Sequence, residues 1–228
     1  MTKVTRNKTL LKDINLSLQT KQIYGLIGEN GAGKTTLFRC ILGLSSAAGK
    51  IYLDNEIIID ANFGNYLKNI GVVFPFPDNY MSYTVKDIFE DHIYYYDCQP
   101  IEIEPYLKEY GLDVFLSDKL STFSLRMKQR LNIALAFLHK PEILILDEPF
   151  NGLDREGIAL LQQNIINFKK QGGLVILSSH SFGELESVVD QFIMIQNGEI
   201  VAQSSIQTMK QQGFKKLDDF YKQNKGGM

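Results

Sequence analysis

The chain of 228 residues has no tryptophan, two cysteines and no long run of apolar residues. Cys40 and Cys98 lie far apart without CxxC spacing, so we expect neither a structural metal site nor a redox motif. No stretch approaches the roughly 18 consecutive apolar residues of a membrane-spanning helix, and the amino terminus lacks the apolar core of a signal peptide. These absences argue against a disulfide-stapled or membrane-spanning protein and predict a cytoplasmic chain.

The charge balance gives no sign of a polyanionic partner. The formal net charge is −2, so the strong positive field that nucleic-acid binders usually carry is absent and no nucleic-acid partner is expected. Hydrophobic residues make up 44% and charged residues 22% of the chain, which is ordinary for a globular protein. A chain of this length can bury the core of one large domain with a modest insertion.

Outside residues 84–140, strand patterns alternate with helix patterns. Short apolar runs predict buried strands at 22–27, 70–74, 142–147 and 174–178. Amphipathic patterns predict helices at 34–44, 155–170 and 182–189. Turn signals predict two hairpins, one pairing 50–53 with 56–59 and one pairing 192–196 with 199–202 around Asn197-Gly198.

Between residues 84 and 140 the strand patterns disappear. Helices are predicted at 85–95, 103–110 and 124–138. We therefore expect one α/β domain over 1–228, with a mixed, largely parallel sheet and an N-terminal antiparallel β portion. Its core would comprise 1–83 and 141–205, a helical subdomain would be inserted at 84–140, and a helical tail would follow at 206–228.

A glycine-rich segment separates the strand at 22–27 from the helix at 34–44. Small residues let backbone N–H groups close around phosphate oxygens, and the following helix points its amino terminus at them. Lys34 adds a positive charge for the β- and γ-phosphates, and the Thr35 hydroxyl offers a ligand to Mg²⁺. We predict that this loop binds the phosphates of ATP. It fits the pattern G-x-x-x-x-G-K-[ST] and consists of Gly28, Glu29, Asn30, Gly31, Ala32, Gly33, Lys34, Thr35 and Thr36.

Two carboxylates follow the apolar run Ile143-Leu144-Ile145-Leu146. Ligands of open α/β sheets lie at the carboxyl ends of the strands, so Asp147 and Glu148 are placed to meet the phosphates. We predict that Asp147 holds Mg²⁺, usually through water, and that Glu148 polarises the attacking water. Without the glycine-rich loop, a polar turn after a core strand would explain the pair equally well.

With two further segments, these motifs resemble those of ATP-binding cassette (ABC) ATPases, the motor subunits of ABC transporters. Residues 123–131, FSLRMKQRL, are similar to the variant signature SLGMKQRL of cassettes from peptide-antibiotic exporters and related multidrug systems. The run from Asn151 to Asp154 matches the family's D-loop, and the run from Ser178 to His180 matches its switch-histidine motif. The resemblance covers nearly the whole chain and implies a P-loop NTPase core.

The resemblance implies Mg²⁺-dependent ATP hydrolysis by a head-to-tail homodimer or heterodimer that powers an integral membrane permease, with export as the expected direction. Ser124 would grip the γ-phosphate of ATP held by the facing subunit, and Asp154 would lie at the interface. His180 would donate a hydrogen bond to the γ-phosphate. Simpler roles are also open, since Ser124 and Asp154 each precede a predicted helix and suit a capping position. His92 and His139 fall outside any motif and are predicted to be structural.

Three positions depart from the family's pattern. Pro75 stands where the family carries a glutamine that contacts Mg²⁺ and the attacking water; Asp78 is an alternative oxygen donor. Arg126 replaces a signature glycine, so it would either crowd the facing phosphate or donate to it. Neither Thr5 nor Arg6 supplies the aromatic ring expected to stack on adenine, so either the first strand is truncated or affinity rests more on phosphate contacts. These departures predict either slow hydrolysis, to be raised by restoring glutamine at 75 and glycine at 126, or one half of an asymmetric pair.

Aromatic residues are dense between positions 74 and 96, the region that forms the permease groove in the family. Phe76, Tyr80 and Tyr83 are predicted to be the more exposed rings. Two other functions remain open at this stage, a transport-independent cassette ATPase and a degenerate regulatory subunit. The single cassette and the low charge argue against the first, and the presence of Lys34 and Glu148 argues against the second.

Overall fold

The computed structural model describes residues 1–6 and 8–225. The described strands are β1 (Lys3–Thr5), β2 (Lys8–Leu11), β3 (Ile23–Ile27), β4 (Tyr52–Leu53), β5 (Glu56–Ile57), β6 (Ile70–Val73), β7 (Ile143–Leu146), β8 (Leu174–Ser178), β9 (Gln191–Gln196) and β10 (Glu199–Ser205). The described α-helices are α1 (Lys34–Ile41), α2 (Phe63–Lys68), α3 (Val85–Tyr96), α4 (Ile103–Glu109), α5 (Leu125–Leu138), α6 (Arg155–Lys170), α7 (Phe182–Glu186), α8 (Ile206–Gln211) and α9 (Leu217–Lys225).

Six strands form the central sheet, in the order β10-β9-β3-β8-β7-β6. The five strands β9, β3, β8, β7 and β6 are each parallel to their neighbours in the sheet, and β10 pairs antiparallel with β9. This mixed, largely parallel sheet confirms the α/β fold expected from the sequence. Strands β3, β7 and β8 are buried along their whole length, which is why each is a continuous apolar run rather than an alternation.

The two faces of the sheet carry separate hydrophobic cores, because successive strand residues point to opposite faces. In β7, Leu144 and Leu146 belong to one core, whereas Ile143 and Ile145 belong to the other. Helices α6 to α9 cover the first core, and α1, α2 and β2 cover the second. Within residues 1–6 and 8–225, none of the helices is both long and apolar enough to cross a membrane.

Parallel pairing aligns the ends of four strands at one edge of the sheet. Leu146, the last residue of β7, pairs with Leu177 of β8 and with Val73 of β6. Leu26 of β3 pairs with Ser178. The glycine-rich loop, the two carboxylates and the 179–181 segment therefore leave the sheet side by side, where open α/β sheets bind ligands.

A short first strand is present at the N-terminal end of the described chain. β1 pairs antiparallel with β2, with Thr5 opposite Lys8. The backbone N–H of Lys12 donates to the Gly198 carbonyl at 2.8 Å, and the Gly198 N–H donates to the Ala32 carbonyl at 2.9 Å. This N-terminal hairpin is thus tied through the β9–β10 turn to the glycine-rich loop.

Helix α2 was missed by the sequence prediction because Gly64 and Asn65 disfavour a helix. Tertiary packing stabilises it, since Tyr66 is buried and its hydroxyl donates to the Ile41 carbonyl at 3.2 Å.

Two predicted helices end earlier than expected. Helix α1 ends at Ile41, because Gly43 adopts a left-handed φ of 67° that stops the helix. Helix α7 ends at Glu186 instead of 189, and the Val188 N–H makes the tighter i→i−3 bond to the Leu185 carbonyl at 2.9 Å.

Helices α3, α4 and α5 pack around a third hydrophobic core. Phe76, Tyr80 and Tyr83 contact this core as half-buried rings, so the prediction that they are the more exposed aromatics was wrong. The rings of Tyr80 and Tyr83 stack at 5.1 Å, which shields both from water. Tyr94 and Tyr95 are the exposed rings, at 90% and 50%.

Candidate functional site

The glycine-rich loop joins β3 to α1 in a conformation that its glycines make possible. Gly31 and Gly33 have φ values of 78° and 116°, which favour residues without a side chain. A Cβ on Gly28 would lie 2.4 Å from the Ile195 carbonyl oxygen, so no larger residue fits there. The loop therefore presents backbone rather than side chains towards the edge of the sheet.

The amino terminus of α1 is open to an anion. Its capping residue, Gly33, provides no side-chain acceptor, and the N–H groups of the first turn, including those of Lys34, Thr35 and Thr36, have no acceptor within the helix. Together with the positive end of the helix dipole, these donors favour a phosphate group.

Lys34 lies beneath the loop and is 6% exposed. Its Nζ donates to the carbonyls of Gly28 at 2.7 Å and Glu29 at 3.2 Å. Burial lowers the pKa of Lys34, and the charges of Glu148 and Asp147 oppose that shift. The ammonium is thus held inside the loop, with carboxylates close enough to balance its charge.

Asp147 links the loop to the neighbouring strand. The Thr35 hydroxyl donates to its Oδ2 at 2.7 Å, and the Ser178 hydroxyl donates to its Oδ1 at 2.6 Å. The Thr35 hydroxyl and a carboxylate are hard oxygen ligands, and both fit Mg²⁺. Among the described residues no cluster of three or more His, Cys, Asp or Glu side chains suits a metal. A Mg²⁺ ion here would therefore complete its coordination with phosphates and water.

Glu148 is held in a strained conformation, with a φ of 50°. Its backbone N–H donates to the Ser178 hydroxyl at 2.9 Å, and its Oε2 accepts from the His180 backbone N–H at 3.1 Å. The His180 Nε2 lies 2.9 Å from Oε1 without the alignment of a hydrogen bond. Burial raises the pKa of Glu148, and the charges of His180 and Lys34 only partly oppose that shift.

Ser178 was named in the sequence analysis only as the start of the switch-histidine motif, with no role of its own. It is fully buried and connects Asp147 to the backbone of Glu148. In the sequence, Ser178 stands out as a hydroxyl at the end of an otherwise apolar strand. That position alone does not predict which residues the hydroxyl contacts.

Ser124 and Asp154 occupy a different part of the chain, as helix caps. The Ser124 hydroxyl accepts from the Met127 N–H at 3.3 Å at the start of α5. Asp154 Oδ1 accepts from the Gly157 N–H at 3.0 Å at the start of α6. In the described part of the chain, neither side chain hydrogen-bonds to the glycine-rich loop or to Glu148. The structure therefore unites the loop with Asp147, Glu148 and His180, and leaves the two caps outside this cluster.

Two arginines of α5 bind the carboxylate of Asp154. Arg130 Nη2 donates to Oδ1 at 2.9 Å, and Arg126 Nη1 donates to Oδ2 at 3.0 Å. Hydrogen bonds from the Gly157 N–H and from Arg130 lower the pKa of Asp154. The start of α5 and the start of α6 are thereby tied together.

A groove of about 740 Å³ lies between the segment after β6 and helices α3 and α5. Phe74, Pro75, Phe76 and Tyr94 line part of it. The buried Asn132 side chain donates to the Phe74 carbonyl, which fixes the backbone just before Pro75. Its buried amide was a second feature that the sequence analysis did not single out.

Two histidines in the groove wall fit the structural role expected of them. His92 Nε2 lies 3.1 Å from His139 Nδ1, and His139 Nε2 lies 3.2 Å from the Ile70 carbonyl. Tyr96 stacks on His139 at 3.8 Å. Burial lowers the pKa of His92 to about 3 and that of His139 to about 4, so both imidazoles are neutral near pH 7.

Comparison with known proteins decides the family. Residues 11–151 match the family model described as ABC transporter. The chain belongs to the ABC transporter family. As an ATP-binding subunit of that family, it carries the cassette motifs in the order expected from its sequence.

Named relatives and a solved structure show the same similarity. The cassette is 34% identical to the lantibiotic transport ATP-binding protein SrtF of Streptococcus pyogenes, over 85% of this chain and 83% of the relative. It is also 34% identical to the bacitracin transport ATP-binding protein BcrA of Bacillus licheniformis, over 96% of this chain and 72% of the relative. A solved ATP-binding subunit of an ABC transporter superposes with a TM-score of 0.87 at 28% identity, covering 98% of this chain and 96% of its own.

The buried carboxylate of Glu148 gives the cassette a pH-dependent stability component. Because the pKa of Glu148 is higher in the folded state, its ionisation costs stability as pH rises through that value. We expect Glu148→Gln to raise the free energy of unfolding, measured with urea, near pH 7 and to raise it less near pH 4, where the carboxyl is largely protonated in both states. An equal difference at both pH values would contradict this origin.

Proposed function

We propose that this subunit binds ATP with Mg²⁺ and hydrolyses it within a head-to-tail pair of cassettes, on the cytoplasmic face of a separate membrane permease. One observation carries the proposal. Glu148, with its raised pKa, lies in contact with His180 and shares Ser178 with Asp147, beside the open amino terminus of α1.

The loop residues hold the triphosphate in this proposal. Backbone N–H groups from Gly28 to Thr36 surround the β- and γ-phosphates, and Lys34 neutralises part of their charge. Thr35 and Asp147, whose oxygens lie 2.7 Å apart, hold the ion. When bound, Mg²⁺ offsets phosphate charge as it develops during transfer.

Glu148 is the proposed general base, and its environment suits that task. Burial favours the neutral carboxylic acid, which makes the carboxylate a better proton acceptor than an exposed glutamate. Its backbone N–H donates to Ser178, which fixes the main chain from which the carboxylate projects. His180, 49% exposed, is placed to donate to the γ-phosphate after leaving its contact with Glu148.

Each cassette also supplies half of the ATP site of the facing cassette, through Ser124 and Asp154, the caps of α5 and α6. Ser124 and Asp154 make no hydrogen bond to the loop of their own chain among the described residues, so a role in phosphate binding requires a facing subunit. That partner is a second copy or a similar cassette. In this assembly, 1–83 and 141–205 act as the ATPase core, 84–140 as the helical subdomain and 206–228 as a tail.

The groove is the proposed permease contact. Its aromatic wall, with Tyr94 90% exposed, suits an apolar helix of a partner. The relatives named for lantibiotic and bacitracin transport, together with the signature at 124–131, favour export.

Glu148→Gln tests the catalytic proposal. We expect ATP turnover to fall about 100-fold or more while ATP binding persists, because an amide cannot accept the proton. Glu142→Gln, which changes an exposed residue ahead of β7, is the control and should keep wild-type turnover. Equal, negligible turnover in wild type and Glu148→Gln, with ATP still bound, would instead support a regulatory subunit.

Pro75 is the proposed cause of slow hydrolysis. Proline offers neither a side-chain oxygen nor a backbone N–H to the ion and the attacking water. Asp78, the alternative donor, is exposed at the start of the 3₁₀ turn Asp78–Ser82. We expect Pro75→Gln to raise turnover roughly tenfold, measured by phosphate release. Pro77→Gln, two residues further along the same wall, should not; unchanged turnover in Pro75→Gln would exclude this cause.

Tyr94→Glu tests the permease contact. A carboxylate on the groove wall should reduce the amount of subunit that sediments with host membranes about tenfold, because its burial against an apolar helix is costly. Turnover of the isolated subunit should not change. Tyr52→Glu, at a ring 58% exposed in β4, is the matched control. Equal membrane association of the two variants would contradict the groove as the contact.

A further inference from the structure

The sequence left two roles open for Arg126, which were to crowd the facing phosphate or to donate to it. The conformation of its side chain bears on that choice. Its guanidinium lies against Asp154, and its side chain is 56% exposed. Ser124 and Arg126 are both exposed, and among the described residues the Ser124 hydroxyl accepts from the Met127 N–H and forms no hydrogen bond with Arg126. The side chain is thus directed to Asp154, where its charge is only partly used.

The guanidinium of Arg126 also has N–H donors that Asp154 does not use. A guanidinium carries five N–H donors, and among the described residues Asp154 is the acceptor that Arg126 contacts, through Nη1 alone. The remaining donors are available on an exposed side chain to a planar or tetrahedral anion.

The charge of this cluster remains positive. Arg126 and Arg130 share the single carboxylate of Asp154, so the three side chains together carry one net positive charge. Arg130 is 10% exposed and also donates to the Tyr110 carbonyl at 2.8 Å, so it is committed within its own chain. The exposed cation of the cluster is Arg126.

We propose that Arg126 is a catalytic-site residue contributed in trans, donating to the terminal phosphate of the ATP held by the facing cassette. Asp154 is its positioning residue, because the contact with Nη1 orients the guanidinium before the subunits meet. This inference rests on the head-to-tail pair proposed above. In this cassette the charged side chain of Arg126 would take the place of the signature glycine, whose backbone would otherwise approach the phosphate closely.

The alternative makes the opposite prediction. If the Arg126 stem obstructed the facing phosphate, shortening it would strengthen ATP-driven pairing and raise turnover. If Arg126 donates to the phosphate, shortening it weakens pairing, because a charge-assisted hydrogen bond is lost. The sign of the change therefore separates the two roles.

The experiment uses the full chain carrying Glu148→Gln, in which ATP persists, and follows dimer formation by analytical ultracentrifugation as ATP is increased. Adding Arg126→Ala should raise the ATP concentration for half-maximal dimerisation about tenfold or more. Arg126→Lys should raise it less, because it keeps the charge but loses the planar fork. Lys170→Ala, an exposed cation in the last turn of α6, should not change it.

A second measurement locates the effect. Binding of ATP to the monomer, measured at protein concentrations too low for pairing, should be the same with and without Arg126→Ala, because Arg126 serves the other subunit's nucleotide. Asp154→Asn should shift dimerisation in the same direction as Arg126→Ala, but by less.

Each contrary outcome has a definite meaning. Dimerisation of Arg126→Ala at the same or a lower ATP concentration would overturn the role of Arg126 and leave the head-to-tail pair standing. A weaker affinity of the monomer for ATP would overturn the action in trans. Failure of the Glu148→Gln parent to dimerise while it binds ATP would overturn the proposed pair and the inference together.

Discussion

The parallel pairing of β7 with β8 is the constraint on which the site depends. It places the Asp147–Glu148 dipeptide beside Ser178, whose hydroxyl donates to one carboxylate and accepts from the backbone N–H of the next residue. That double contact fixes a glutamate with a positive φ, a conformation that an isolated chain would rarely adopt. The loop, Asp147 and Glu148 then share one edge of the sheet, because β3 also runs parallel to β8.

A second set of contacts ties the helical segment to the residues after Glu148. Gln129 donates to the Pro149 carbonyl at 2.8 Å, and Arg126 and Arg130 bind Asp154. One face of α5 is therefore attached to the chain from Pro149 to Asp154. These contacts link the start of α5 to the segment that follows Glu148.

The aromatic residues around the groove show that packing, and not composition, decides which rings are exposed. Aromatic density between 74 and 96 suggested an interface, but the sequence prediction of which rings face solvent was wrong. Tyr80 and Tyr83 stack on each other against the helical core, whereas Tyr94 projects into water. Helix periodicity orients side chains only relative to their own helix, and the neighbouring elements decide which side is covered.

The sequence by itself determined the α/β class, the buried strands and the loop chemistry. These features depend on neighbouring residues: apolar runs specify buried strands, and glycines permit the loop's positive φ values. Tertiary structure alone decided that Ser178 joins Asp147 to Glu148 and that Arg126 lies on Asp154. Those contacts span about 30 residues of chain, and each group had other possible partners until the fold brought one within hydrogen-bond distance. The glycine-rich loop and the carboxylates beside it could be found by their patterns; the hydrogen bonds through Ser178 that join Asp147 to Glu148 could not.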